Sequence, residues 1–133
     1  MIPAFVRNVL EQKLRGKKTI AIDFDGPVHK YSKGWYDGTI YDPPTPGVKE
    51  ALELLSKKYR LVLFTCRVLP DQPNGLRDVK KWLKENDLSK YFSDITYKKP
   101  RASFYIDDNA VVFKNNWPKV LTEIRKRTST NER

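Results

Sequence analysis

The chain has little that would tie it to an oxidising compartment or a membrane. Cys66 is the only cysteine in 133 residues, so no disulfide can close within the chain, and nothing in cysteine usage points to secretion. No apolar run approaches the roughly 18 to 20 residues that a membrane helix requires. The start, MIPAFVRNVL, is apolar but broken by Arg7 and Asn8, without the basic opening and cleavage site of a secretory signal. These absences lead to the expectation of a cytoplasmic protein that does not engage a membrane. Acidic residues are also short: 16 Asp and Glu stand against 26 Lys and Arg, a net charge of +10. Such a surface attracts anions, nucleic acid among them, although a solvated basic face accounts for the same excess. There is no internal repeat, and the length suits one compact domain spanning 1–133.

The hydrophobic pattern alternates between two periods. Ile2, Phe5, Val6, Val9 and Leu10 repeat as one face of an amphipathic helix over 1–16. Thr19 to Phe24 is β-branched and nearly all apolar, as expected of a strand buried on both faces. Residues 26–45 are rich in Gly, Pro and aromatics, including Tyr31, Trp35, Tyr36 and Tyr41, and predict an ordered flap hairpin or loop. Thr45-Pro46 offers a cap and a first-turn proline for a helix carrying Val48, Ala51, Leu52 and Leu55. Arg60 to Thr65 predicts a second buried strand. Leu76, Val79 and Leu83 predict a helix ending near Asn86. Short strands are expected at 94–97, 103–107 and 111–113, then a closing helix through Trp117, Val120, Leu121 and Ile124, and a polar tail over 128–133. Strands alternating with helices predict an α/β fold: a three-layer, Rossmann-like parallel sheet with helices on both faces.

Four polar signals fall at predicted strand ends: Asp23 and Asp25, Thr65, Lys98 and Lys99, and Asp107 and Asp108. Each alone has an ordinary explanation. Acidic residues before glycine form turns, threonine suits strands, and paired lysines are usually solvated. Together they are more specific, because ligands of open parallel sheets bind beyond the carboxyl ends of the strands. Carboxylates gathered there repel one another unless a cation or proton neutralises them. The residue types suit phosphoryl transfer. A carboxylate can attack phosphorus, a second can exchange protons with the leaving oxygen and with water, and a hydroxyl and an ammonium can hold phosphate oxygens. Oxygen ligands favour a hard cation, and Mg²⁺ is the usual companion of phosphate.

At these residues the chain resembles the haloacid-dehalogenase-like superfamily of phosphohydrolases. The motifs are Asp23-Phe24-Asp25-Gly26, Thr65, Lys99-Pro100 and Tyr105-Ile106-Asp107-Asp108, in the superfamily's order across positions 19 to 108. The resemblance implies a Mg²⁺-dependent phosphate monoester hydrolase working through an aspartyl-phosphate. It implies Asp23 as nucleophile and metal ligand, and Asp25 as general acid and base with its backbone carbonyl on the metal. It also implies Thr65 as a phosphate donor, Lys99 as the balancing cation, and Asp107 and Asp108 at the metal. Gly26, Cys66 and Arg67, beside these motifs, are candidate substrate contacts. His29 to Pro44, with Phe64 to Arg67, is similar to short members found in phage and bacterial genomes. Pro27 departs from the usual Thr or small apolar residue after Asp25, and the N-terminal helix is an addition.

Members of the superfamily usually restrict substrates with an inserted cap domain. About twenty residues separate Gly26 from Pro46 and seven separate Lys99 from Asp107, too few for an independent cap. The expected site is open, admitting a nucleotide, another small phosphate ester or the phosphorylated end of a nucleic acid, with closure by a second subunit as an option. His29, the only histidine, is assigned a structural or substrate-contact role. The alternative reading is a basic nucleic-acid or protein-binding module on an inactive fold of this kind. Asp25 argues against dehalogenation, which needs no proton donor two residues after the nucleophile.

Overall fold

A computed structural model describes residues 3, 4 and 17–130. The expected helix over 1–16 therefore lies outside the described residues, as do positions 131–133 of the tail. Four parallel strands form one sheet: β1 Thr19–Asp23, β2 Arg60–Phe64, β3 Asp94–Thr96 and β4 Phe104–Ile106, in the order β3-β2-β1-β4. Among the described residues three α-helices follow strands: α1 Val48–Ser56, α2 Gly75–Glu85 and α3 Trp117–Thr130. This is an α/β fold with a Rossmann-like parallel sheet. Among the described residues no helix is long and apolar enough to cross a membrane.

β1 is central because its side chains suit both faces. Ile20, Ala21 and Ile22 are all buried, which only a strand covered above and below permits. The chain then steps outward through α1 to β2 and through α2 to β3. Two steps in one direction, with the right-handed crossover that such connections nearly always take, place α1 and α2 on the same face. Ile20, Ile22, Leu61 and Leu63 of the sheet meet Leu52 of α1 and Val79, Trp82 and Leu83 of α2 in one core, with Phe24, Val28 and Leu88. The return from β3 to β4 crosses two strands with no helix. Strands lie about 4.8 Å apart, so the lateral distance is about 14 Å, within the reach of seven extended residues at about 3.3 Å each. Phe104, Tyr105 and Ile106 of β4 remain exposed, unlike their counterparts on β1 and β2.

The register fixes where the site must lie. Asp23 pairs with Phe64, Phe64 with Thr96, and Ile22 with Ile106. Asp23, Thr65 and Asp107 therefore emerge together at the carboxyl edge.

Several sequence expectations need correction. Residues 26–45 take the loop form of the expectation and not a hairpin ladder. Their pairing is limited to single bridges from His29 to Asp25 and to Pro44. Positive φ at Tyr31, Gly34, Tyr36 and Gly38 turns the chain repeatedly and prevents an extended pair. α1 begins at Val48, with Gly47 at its cap in the left-handed region. Thr45 is instead engaged with the loop: its hydroxyl lies 3.0 Å from the Gly26 carbonyl and 3.2 Å from that of Val28. Residues 111–113 form no strand. Arg127 of α3 donates to the carbonyls of Asn109 and Ala110 and draws that segment toward the helix. Thr128 to Thr130, expected in the tail, continue α3.

Candidate functional site

Asp23 closes β1 and is partly buried. Its Oδ1 accepts the Phe24 N–H at 2.9 Å. Asp107 and Asp108 follow β4, the neighbour of β1, and the Asp107 carboxylate accepts the Asn109 N–H at 2.8 Å, shaping the turn. One carboxylate oxygen from each of Asp23, Asp107 and Asp108 lies within 4.8 Å of the other two. Burial, then the charge of Asp107, pushes the Asp23 carboxyl up to about 7; Asp25 and Asp108 add to this and the Phe24 N–H opposes it. A carboxyl so far above its ordinary range marks a place that lacks positive charge.

The donor set fits a hard divalent cation: three carboxylates converge, with no thiol or imidazole among them. Gly26 makes the convergence possible. Its φ is 104°, and a methyl group at this position would collide with the Asp108 carboxylate. Gly26 thus serves the acidic cluster through its missing side chain, a role distinct from the expected substrate contact.

Asp25 stands differently from Asp23. Arg67 Nε donates to both of its oxygens, at 3.0 and 2.8 Å, and His29 Nδ1 lies 2.8 Å from Oδ1. His29 Nε2 accepts the Asp42 N–H at 3.1 Å, so Nδ1 carries the proton and donates it to Asp25. The pair is therefore a hydrogen bond from a neutral ring. Burial works to raise the Asp25 carboxyl, but the bonds from His29 and Arg67 and the Arg67 charge outweigh it and hold the carboxyl below its ordinary range. The two aspartates of the Asp-x-Asp-Gly motif are thus driven apart in acidity by their surroundings.

His29 is wholly buried, stacked on Phe24 at 5.6 Å and edge-on to Trp82 at 5.8 Å and Tyr41 at 5.2 Å. Trp82 in turn donates to the Asp42 carbonyl at 3.1 Å. This aromatic cluster ties the 26–45 loop to α2 and sets the orientation of Asp25. The sequence offered a signal, since His29 lies four residues after Asp25, but nothing in it showed that the ring would be turned inward.

Thr65 is buried at the end of β2, and its N–H donates to Thr96. Its hydroxyl oxygen accepts the Arg67 N–H at 3.2 Å, capping the short 3₁₀ turn Cys66–Val68, while the hydroxyl proton remains for another acceptor. Cys66 is exposed on that turn. Arg67 is only 4% exposed, so its partner is Asp25 rather than a surface carboxylate. Lys98 and Lys99 are exposed and lie over aromatic rings, Lys98 over Tyr97 at 5.9 Å and Lys99 over Tyr105 at 4.6 Å. Among the described residues neither lysine forms an ion pair. The edge thus brings together Asp23, Asp107 and Asp108, with Asp25 and Thr65 following β1 and β2, and leaves Lys99 outside this bonded set. No family model, curated protein or solved structure matches the chain.

Proposed function

We propose that this chain is a magnesium-dependent phosphate monoester hydrolase of the haloacid-dehalogenase-like kind, without a cap domain. One observation carries the reading: Asp23, Asp107 and Asp108 converge at the carboxyl edge of a parallel sheet, in surroundings that lack positive charge. Asp23, Asp107 and Asp108 would hold Mg²⁺, with the Asp25 carbonyl as a further ligand; the ion supplies charge neutralisation for the carboxylates and for the phosphate.

Asp23 attacks phosphorus through a carboxylate oxygen, forming an aspartyl-phosphate as the bond from phosphorus to the ester oxygen breaks. The leaving oxygen takes a proton from Asp25. Asp25 takes that proton from solvent as substrate binds, because the phosphate dianion arriving beside it raises its proton affinity against the hold of Arg67 and His29. Asp25, again a carboxylate, then takes a proton from water as the water oxygen attacks phosphorus. Inorganic phosphate departs and Asp23 is restored. The Thr65 hydroxyl donates to a phosphate oxygen, and Lys99 swings from Tyr105 to pair with the phosphate, a movement its long exposed stem permits.

The test is hydrolysis of an aryl phosphate by the full chain with Mg²⁺, with chelator, and after Asp23→Asn. Hydrolysis that needs the metal and vanishes in the variant is the expected result. Full activity in excess chelator overturns the mechanism. Inactivity on every phosphate ester, together with salt-sensitive binding to nucleic acid, would favour the binding-module alternative that the +10 charge allows.

A further inference from the structure

Arg67 has one nitrogen without a partner. Nε holds Asp25 and Nη1 donates to the Gly38 carbonyl at 2.9 Å, but Nη2 is buried and hydrogen-bonded to nothing among the described residues. Buried polar groups are nearly always paired, so Nη2 calls for an acceptor beyond the described residues.

The same side chain forms part of the wall of a cavity of about 460 Å³, within the usual size of small-molecule sites. Trp35, Ile40, Asn74, Asp78 and Trp82 supply other parts of the wall. Trp35 lies over the guanidinium, 4.7 Å from ring centroid to Cζ, and is 48% exposed. Gly38 allows the backbone to approach this indole: a Cβ there would stand 3.3 Å from the ring. Asn74 spends no side-chain bond on capping α2, and the Asp78 carboxylate accepts only from the exposed Arg77. The cavity therefore offers an aromatic surface, a buried guanidinium donor, a free amide and a carboxylate acceptor. An apolar occupant would leave these polar groups unpaired. A purine carries the matching groups: rings for an indole, ring and carbonyl acceptors for a guanidinium, and N–H groups for a carboxylate.

Position agrees with chemistry. Asp25 exchanges protons with the leaving oxygen, so the leaving group lies on the Asp25 side of the phosphate. Arg67 joins Asp25 to the cavity. We propose that the cavity is the leaving-group subsite and seats the purine base of a nucleotide against Trp35 and Arg67. Its connection to catalysis rests on the hydrolase reading; its affinity for the base does not.

The experiment uses the Asp23→Asn chain in chelator, where neither turnover nor metal contributes. Guanosine monophosphate and ribose 5-phosphate are titrated by calorimetry, before and after Trp35→Ala and Arg67→Lys. Saturable binding of the nucleotide, at least tenfold tighter than ribose 5-phosphate and weakened at least tenfold by Trp35→Ala, is expected. Trp35 is half exposed, so its variant should fold even where the Arg67 variant does not. Equal binding of the two probes, or nucleotide binding unchanged by Trp35→Ala, overturns the inference. Aryl phosphate hydrolysis by the unaltered chain is measured in parallel. Hydrolysis without base-dependent binding defeats the subsite alone. Base-dependent binding without hydrolysis defeats the hydrolase reading and leaves a purine site.

Discussion

At the scale of single residues, one motif has been given two opposite environments. Asp23 is buried among carboxylates and pushed up to about 7, while two donors hold Asp25 down two residues away. Asp23→Asn should reduce Mg²⁺-supported aryl phosphate hydrolysis on the order of 10³-fold or more, because an amide neither attacks phosphorus well nor binds the metal well. Steady-state rates on a folded variant check this, and retention of more than a few per cent removes Asp23 from the nucleophile's role. Gly26→Ala places a side chain against the Asp108 carboxylate at a φ of 104°. It should lose roughly 1–3 kcal/mol of stability and raise the Mg²⁺ concentration needed for half activity. Thermal melts and a Mg²⁺ titration measure both, and no change in either would show that Asp108 moves aside freely. Lys99→Met should lose most activity and Lys98→Met little, since only Lys99 precedes the φ-fixing Pro100 and rests on Tyr105 of β4. The reverse ranking would assign the balancing charge to Lys98.

At the scale of elements, the 26–45 loop is held by polar and aromatic contacts rather than by a strand ladder. Its anchors are Asp25 with Arg67, His29 with Asp42, Thr45 with Gly26, and Trp82 with Asp42. Breaking a buried ion pair by removing one partner leaves the other charge unpaired, typically at a cost of roughly 3–5 kcal/mol. Arg67→Met should therefore destabilise the chain by about that amount, read from denaturant unfolding. It should also let the Asp25 carboxyl rise toward its ordinary range, since the guanidinium that lowered it is gone. Where residual activity is measurable, the limb of the kcat/KM profile that falls as Asp25 loses its proton should move to higher pH. A shift to lower pH would contradict the assignment of Arg67 as the group that keeps Asp25 ionised.

At the scale of the whole molecule, the acidic cluster couples stability to pH and metal. Asp23 binds its proton more tightly in the folded chain than in the unfolded one, with about 7 against an ordinary 3.8. Between those values the folded state carries more protons, so this group's contribution to stability falls as pH rises through that window and levels off above it. Asp25 acts in the other direction: its contribution is present above its ordinary value and is lost as pH falls below it. In chelator, the melting temperature should thus decline between pH 5 and pH 8 more steeply for the native chain than for Asp23→Asn. At pH 8 the variant should melt roughly 2–6 °C higher, and Mg²⁺ should stabilise the native chain while leaving the variant nearly unmoved. Parallel melts at both pH values test this. A native chain that is no less stable than the variant at pH 8 without metal would mean that Asp23 is not strained by its neighbours.

The sequence by itself determined the parallel α/β fold and the carboxyl-edge position of the aspartates. Apolar runs at Thr19–Phe24 and Arg60–Thr65 could satisfy themselves only as strands buried on both faces, and helical stripes between them required parallel crossovers. Strand ends then carried Asp23, Thr65 and Asp107 to one edge whatever the details. Tertiary structure alone decided the environments at that edge. The burial of His29, the capture of Arg67 by Asp25 and the close fit of Gly26 to Asp108 each join residues far apart in the chain or hidden from local pattern. The same holds for the path of the 26–45 loop, set by its positive-φ turns, and for 111–113, where the expected strand is absent beside the bonds from Arg127. Periodicity records which face of a segment is apolar; it does not record which charge will meet which. That is settled only when the burial of charged and polar groups forces each to find a partner.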